Sequence, residues 1–222
     1  MAIYGGRVSP YSCRPVSGPL IVQMMGDSIT AGPLTLGGWR AYFLYLASVA
    51  LGNGGAVGPG GVIDSMGDLN NALYGYDPSC GTSHSGHSGS SAAQWITNGW
   101  MSTFNPGTVH IGMLMLGAND GGDLVQTATD IMTLANQFFS LHPMANLFVS
   151  NRLERSFAAT SVMNAALASQ VATARTSGKN IVLVDNHAVI DLADTTDGLH
   201  PGTFGNQKLA ENWFASVAPY LR

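Results

Sequence analysis

Lysine is almost missing: Lys179 and Lys208 are the only two in 222 residues, and charged residues of every kind make up just 10%. Lys and Arg together number 9 against 13 Asp and Glu, giving a net charge of −4. No run of like charge occurs, so the chain lacks the basic face that displaces counterions from a phosphate backbone. No nucleic-acid partner is expected. Long hydrophobic runs are lacking too. Nothing approaches the roughly 20 apolar residues that cross a bilayer, and no membrane partner is expected. Residues 1–19, rich in Gly, Pro and Ser, hold no apolar segment typical of a signal peptide. They read as an N-terminal arm to a domain spanning residues 20–222. Cysteine is limited to Cys13 and Cys80, compatible with two free thiols or with one disulfide from the arm to a loop.

What is present is an apolar chain, 45% hydrophobic, long enough for one large domain that buries about 70% of its unfolded surface. Residues 20–25 form an apolar run broken by Gln23 and ended by Gly26, the pattern of a buried strand. Residues 39–51 are rich in helix formers and stop at Gly52. Val62 and Ile63 seed a weak second strand. Residues 64–90 read as one long polar loop of Gly, Ser, Asn and His, a length more often functional than idle. Further along, 91–101 reads as a short helix, 109–116 as a strand and 123–141 as a helix. Then come a strand at 145–150, a helix at 157–176 closed by Gly178, a strand at 181–184 and a helix at 204–217. About five alternations of strand and helix predict a mostly parallel α/β sheet with helices on both faces. In such folds ligands bind beyond the carboxyl ends of the strands.

Four polar clusters fall at such ends. Gly26-Asp27-Ser28-Ile29-Thr30 follows the first strand and puts a serine hydroxyl on a turn, where it reads equally as a helix cap. His84-Ser85-Gly86-His87-Ser88-Gly89-Ser90 offers backbone N–H groups that glycine lets approach a ligand closely. Gly117-Ala118-Asn119-Asp120 closes the strand at 109–116 and presents an uncharged amide donor, although Asn-Asp-Gly-Gly is also good turn chemistry. Asp197-Gly198-Leu199-His200-Pro201 places a carboxylate three residues from an imidazole, so that Nδ1 is engaged and Nε2 is free as a base. Each cluster is weak alone. Together they are the parts of an acyl-transfer site, in order.

On these residues the chain resembles the SGNH (or GDSL) hydrolase superfamily from about Leu20 onward, matching at Ser28, Gly89, Asn119 and His200, with Asp197 in the D-x-x-H position. It is similar, more narrowly, to carbohydrate esterase family three, the acetyl xylan esterases of that superfamily, in Gly38-Trp39-Arg40, Gly86-His87-Ser88-Gly89 and Asp197-Gly198-Leu199-His200. Ser85 and Ser90 stand where members often carry an acidic and an aromatic residue. The resemblance implies a flavodoxin-like three-layer α/β/α sandwich with a doubly wound, parallel, five-stranded sheet. It implies a catalytic triad of Ser28, Asp197 and His200, and an oxyanion hole of Ser28, Gly89 and Asn119, with Gly86 the alternative donor to Gly89. The substrate implied is a small-molecule or polysaccharide acyl ester such as acetylated xylan, and the setting extracellular. A different small-acyl esterase, a lysophospholipase or thioesterase, or a catalytically silent glycan-binding module are the competing readings.

Other polar residues are weighed against these. Asp27, Arg40 and His87 are candidate substrate contacts, although Asp27 and Asp120 also read as braces of their loops and Arg40 as half of an ion pair. His84 and His87 lack a third ligand beside them, and Asp64, Asp68 and Asn70 miss the spacing of a calcium loop. Neither a metal nor a cofactor is expected.

Overall fold

The sheet is organised around β1 (Leu20–Gly26), whose side chains go alternately to two faces. Leu20, Val22 and Met24 enter one hydrophobic cluster, while Met25 enters the other. The structure, a computed structural model, describes residues 20–32, 37–52, 63–70, 83–103, 107–154 and 160–221. The N-terminal arm, Cys13 and Cys80 lie outside the described residues.

After β1 come a one-turn helix α1 (Ser28–Ala31) and α2 (Trp39–Ala50). Three short strands follow, β2 (Ile63–Met66), β3 (Leu69–Asn70) and β4 (Ser83–Gly86), then helices α3 (Ala92–Thr97) and α4 (Trp100–Thr103). The second half alternates regularly: β5 (Ile111–Met115), α5 (Leu124–Leu141), β6 (Asn146–Ser150), α6 (Ser161–Thr176), β7 (Ile181–Val184) and α7 (Thr203–Val217). The order across the sheet is β3-β4-β1-β5-β6-β7, with β2 also paired to β1. All pairings are parallel except β3 with β4. Because β2 pairs residues 20–23 of β1 and β4 pairs Met25 and Gly26, these two short strands share one edge of β1 end to end. The expected five-position parallel sheet is therefore present, with a split edge position and a two-residue antiparallel strand added.

The segment expected to be one loop at 64–90 departs from that expectation at three places, since it contains most of β2 and all of β3 and β4. Asp64-Ser65 and Ser83-His84-Ser85 are polar and of low strand propensity. Pairing to an adjacent strand, which no local pattern reveals, makes them strands. The helix expected at 91–101 is two, interrupted at Gly99, whose φ is 65°. The helix expected from 157 begins at Ser161, residues 155–159 lying outside the described residues. Other boundaries match within two residues.

Helices α2 and α7 cover one face of the sheet; α3, α4, α5 and α6 cover the other. On the first face Trp39 stacks on Trp213 with ring centroids 5.3 Å apart and planes inclined by 22°. Both rings are fully buried. This stack ties the helix that follows the first strand to the last helix of the chain. Among the described residues no helix is long and apolar enough to cross a membrane. Trp213→Ala should lower the unfolding free energy by about 3–5 kcal/mol, the cost of emptying a large aromatic site in a packed core. Urea denaturation followed by tryptophan fluorescence and circular dichroism checks this.

Candidate active site

The first wall of the site is built where β1 ends. A Cβ on Gly26 would lie 2.2 Å from the Met115 carbonyl oxygen and 2.3 Å from Thr30 Oγ1, so the strand end takes no other residue without shifting backbone. Asp27 then caps α1: its Oδ1 accepts from the Ile29 N–H at 3.0 Å and its Oδ2 from the Ala118 N–H at 3.3 Å. That second bond fastens the turn holding Ser28 to the turn holding Asn119. Burial raises the Asp27 pKa to about 6, although both N–H donors pull the other way. Ser28 is the first helical residue, and its backbone N–H has no acceptor within the helix. At the other end of α1, Arg40 Nε donates to the Thr30 carbonyl at 2.7 Å and Nη2 to the Ala31 carbonyl at 3.1 Å. Burial lowers its pKa to about 9, which leaves it a cation at neutral pH.

The second wall is the loop between β7 and α7. The Asp197 Oδ1 accepts from the N–H groups of Leu199 at 3.0 Å and His200 at 2.7 Å, while Oδ2 lies 2.7 Å from His200 Nδ1. These bonds hold the Asp197 pKa down to about 2, the His200 N–H contributing most. Gly198 turns the loop at φ 80°, and Thr196 N–H closes it on the His200 carbonyl at 2.9 Å. With Nδ1–H directed to the carboxylate, Nε2 is the accepting nitrogen. It lies 2.8 Å from Ser28 Oγ, across 172 residues of sequence.

The third wall carries amide donors. Asn119 Nδ2 donates to the Ser90 carbonyl at 3.0 Å, leaving its second hydrogen free for another acceptor. The Asp120 carboxylate accepts from the Ala92 N–H at 3.2 and 3.3 Å. Gly89 has φ 79° and an N–H without a partner among the described residues. Gly86 is different. Its N–H donates to His84 Nδ1 at 2.9 Å, and a Cβ there would lie 2.5 Å from the Ala31 nitrogen. Gly86 is thus a packing residue with its donor spent, which favours Gly89 over Gly86 as an anion donor. Below the turn lies a small recess lined largely by apolar side chains, including Ile29, Met115, Ala118, Leu153 and Leu199.

The structure brings Ser28, His200 and Asp197 together, with Asn119 beside the Gly89 turn. Asp27 and Arg40, candidate substrate contacts, are instead 1% and 0% exposed and bound to backbone, and Asp27 braces its loop as its other reading had it. The two bonds Arg40 makes to α1 go to carbonyl groups, partners that sequence cannot display. His87 is half-buried, its Nε2 3.0 Å from Asp68 Oδ2. Sequence reasoning had given Asp68 no part in the site.

The sheet and its flanking helices have the SGNH, or GDSL, fold. Within it the chain is similar to a family 3 carbohydrate esterase of Clostridium thermocellum, 26% identical, with a TM-score of 0.72 over 92% of this chain and 98% of that one. A family 3 carbohydrate esterase of Talaromyces cellulolyticus shares the fold at 21% identity, with a TM-score of 0.75 over 91% and 98% of the two chains. By sequence, the chain is 28% identical to a multidomain esterase of Ruminococcus flavefaciens, over 93% of this chain and 29% of that protein. The chain thus spans under a third of that relative's length. No family model matches.

Protonation of His84 gives the turn a pH dependence. Burial and the nearby Arg40 charge lower its pKa to about 3, and its Nδ1 must stay unprotonated to accept the Gly86 N–H. The unfolded chain binds that proton below about pH 6.5 while the folded chain does not. This contribution to stability is complete above about pH 6.5 and is lost as the pH falls toward 3. His84→Asn, which keeps an acceptor for Gly86 but does not titrate, should flatten the fall in urea-unfolding free energy between pH 7 and 4.5. Equal slopes in the two proteins would show that His84 does not carry it.

Proposed function

We propose that the protein is a serine ester hydrolase that removes short acyl groups, chiefly acetyl, from carbohydrate such as acetylated xylan. The observation that carries this reading is the continuous hydrogen-bonded chain from Ser28 Oγ through His200 to Asp197, at 2.8 and 2.7 Å. His200 Nε2 takes the hydroxyl proton as Ser28 Oγ attacks the ester carbonyl carbon. The carbonyl π electrons move to oxygen, and the tetrahedral anion meets the N–H groups of Ser28 and Gly89 and the free hydrogen of Asn119. Its collapse breaks the C–O bond to the alcohol, which leaves with the proton that His200 returns. Water, activated by the same imidazole, then attacks the acyl-serine and releases the acid and the enzyme. Asp197, an anion at any pH above about 2, holds the ring in the tautomer these steps need.

The acetyl preference draws support from the esterases this chain is similar to. Two variants test the reading. Ser28→Ala should lower acetate release from acetylated xylan and from p-nitrophenyl acetate by on the order of 10⁶-fold while the melting temperature holds. Unchanged turnover would end the mechanism. Asn119→Ala should lower kcat by about 10²- to 10³-fold with little change in KM; a rise in KM alone would make Asn119 a ground-state contact. Hydrolysis of octanoyl but not acetyl esters by the unaltered protein would move it to another class of esterase.

A further inference from the structure

The site contains a second histidine–aspartate pair that the mechanism leaves unused. His87 lies flat against Trp100, with ring centroids 3.9 Å apart and planes inclined by 4°, and meets Trp95 edge-on at 5.2 Å. Its Nε2 lies 3.0 Å from Asp68 Oδ2, and that nitrogen is shielded from solvent. Asp68 follows a close backbone approach: a Cβ on Gly67 would lie 2.0 Å from the carbonyl carbon of His84. Desolvation raises the Asp68 pKa, but the adjoining His87 and Ser85 side chains outweigh it and the net shift is downward. The ring is therefore gripped on one face by an indole and on one edge by a carboxylate, and its Nε2 has no access to a bound substrate.

The backbone of His87 is what this grip controls. Its N–H donates to the Gly26 carbonyl at 2.8 Å, one residue before Asp27, and its carbonyl accepts from the Ser90 N–H at 3.1 Å and from Ser90 Oγ at 2.6 Å. Trp95 Nε1 donates to the same Ser90 Oγ at 3.0 Å, and the Ser90 carbonyl receives the Asn119 amide. Residues 87 to 90 thus form a tight turn with Gly89 at its tip. Beyond its two chain neighbours, Gly89 has no atom within 4 Å of where a Cβ would stand, so no packing on that side holds the tip. The aim of its N–H is set from the base of the turn.

We propose that Asp68 and His87 are positioning residues for the oxyanion hole: the clamped imidazole fixes the turn that aims the Gly89 N–H and, through the Ser90 carbonyl, orients the Asn119 amide. The inference rests on the serine-hydrolase reading above and assigns His87 a role other than substrate contact. Displacement of a reacting group by about 1 Å costs up to about 10²-fold. Loosening the turn accordingly appears in kcat rather than in KM.

The test uses kcat and KM for p-nitrophenyl acetate in the unaltered protein, His87→Ala, Asp68→Asn, Asn119→Ala and the His87→Ala/Asn119→Ala double variant, with melting temperatures alongside. His87→Ala and Asp68→Asn are expected to lower kcat by about 10- to 100-fold with KM nearly constant. The double variant should lose less than the product of its single losses, because both residues serve one anion site. A folded His87→Ala with unchanged kcat overturns the inference, as does a rise in KM alone or a fully multiplicative double loss. If His87→Ala does not fold, Asp68→Asn, which keeps the ring stack, decides the matter on kcat alone. Lack of esterase activity in the unaltered protein overturns both the reading and the inference; activity there, with these variants unaffected, overturns only the inference.

Discussion

A single buried carboxylate, that of Asp27, links the two turns on which the chemistry sits. One oxygen holds the start of α1 and the other holds Ala118, so Ser28 and Asn119 are placed relative to each other by one rigid group. Burying a charge is costly, and the Asp27 pKa of about 6 measures how far the interior disfavours the anion. The cost is offset by two backbone N–H donors, those of Ile29 and Ala118. At neutral pH the anion persists, and with it the spacing between nucleophile and amide.

Around that link the parallel sheet does what such sheets do. Every functional group in the proposed site follows a strand of one direction, so groups 172 residues apart meet at one rim. The stacked Trp39 and Trp213 add a second constraint from beneath. They hold α2, whose Arg40 closes the end of the nucleophile helix, against α7, which begins just after His200. Fold stability and site geometry therefore share the same packing.

Much of this was legible in the sequence for a plain reason. Residues 20–26 and 111–115 are buried on both faces, so apart from Gln23 they are apolar throughout and announce themselves as central strands. Ser28 and Asn119 stand just past strands and the Asp197–His200 pair just before the last helix, where polar residues are conspicuous. What was hidden depends on contacts without a side-chain signature. Segments 63–66 and 83–86 are strands because β1 lends them its edge. Arg40 binds carbonyl groups, which every residue has. Asp68 meets His87 across 19 positions where Gly67 closely approaches His84, and no periodicity carries that information.

Gly26 and Gly86 differ in kind from Gly89, and the difference bears on how the site tolerates redesign. Gly26 and Gly86 are excluded volume: backbone from a neighbouring segment occupies the place of a side chain, so even a methyl group displaces main chain. Gly89 stands in open space and is demanding only in its handedness, at φ 79°. Asparagine, which enters the left-handed region at modest cost, is therefore an admissible replacement at the tip of the turn. Combinatorial libraries aimed at new acyl or leaving groups have room to vary that tip, while the strand ends beneath it stay fixed.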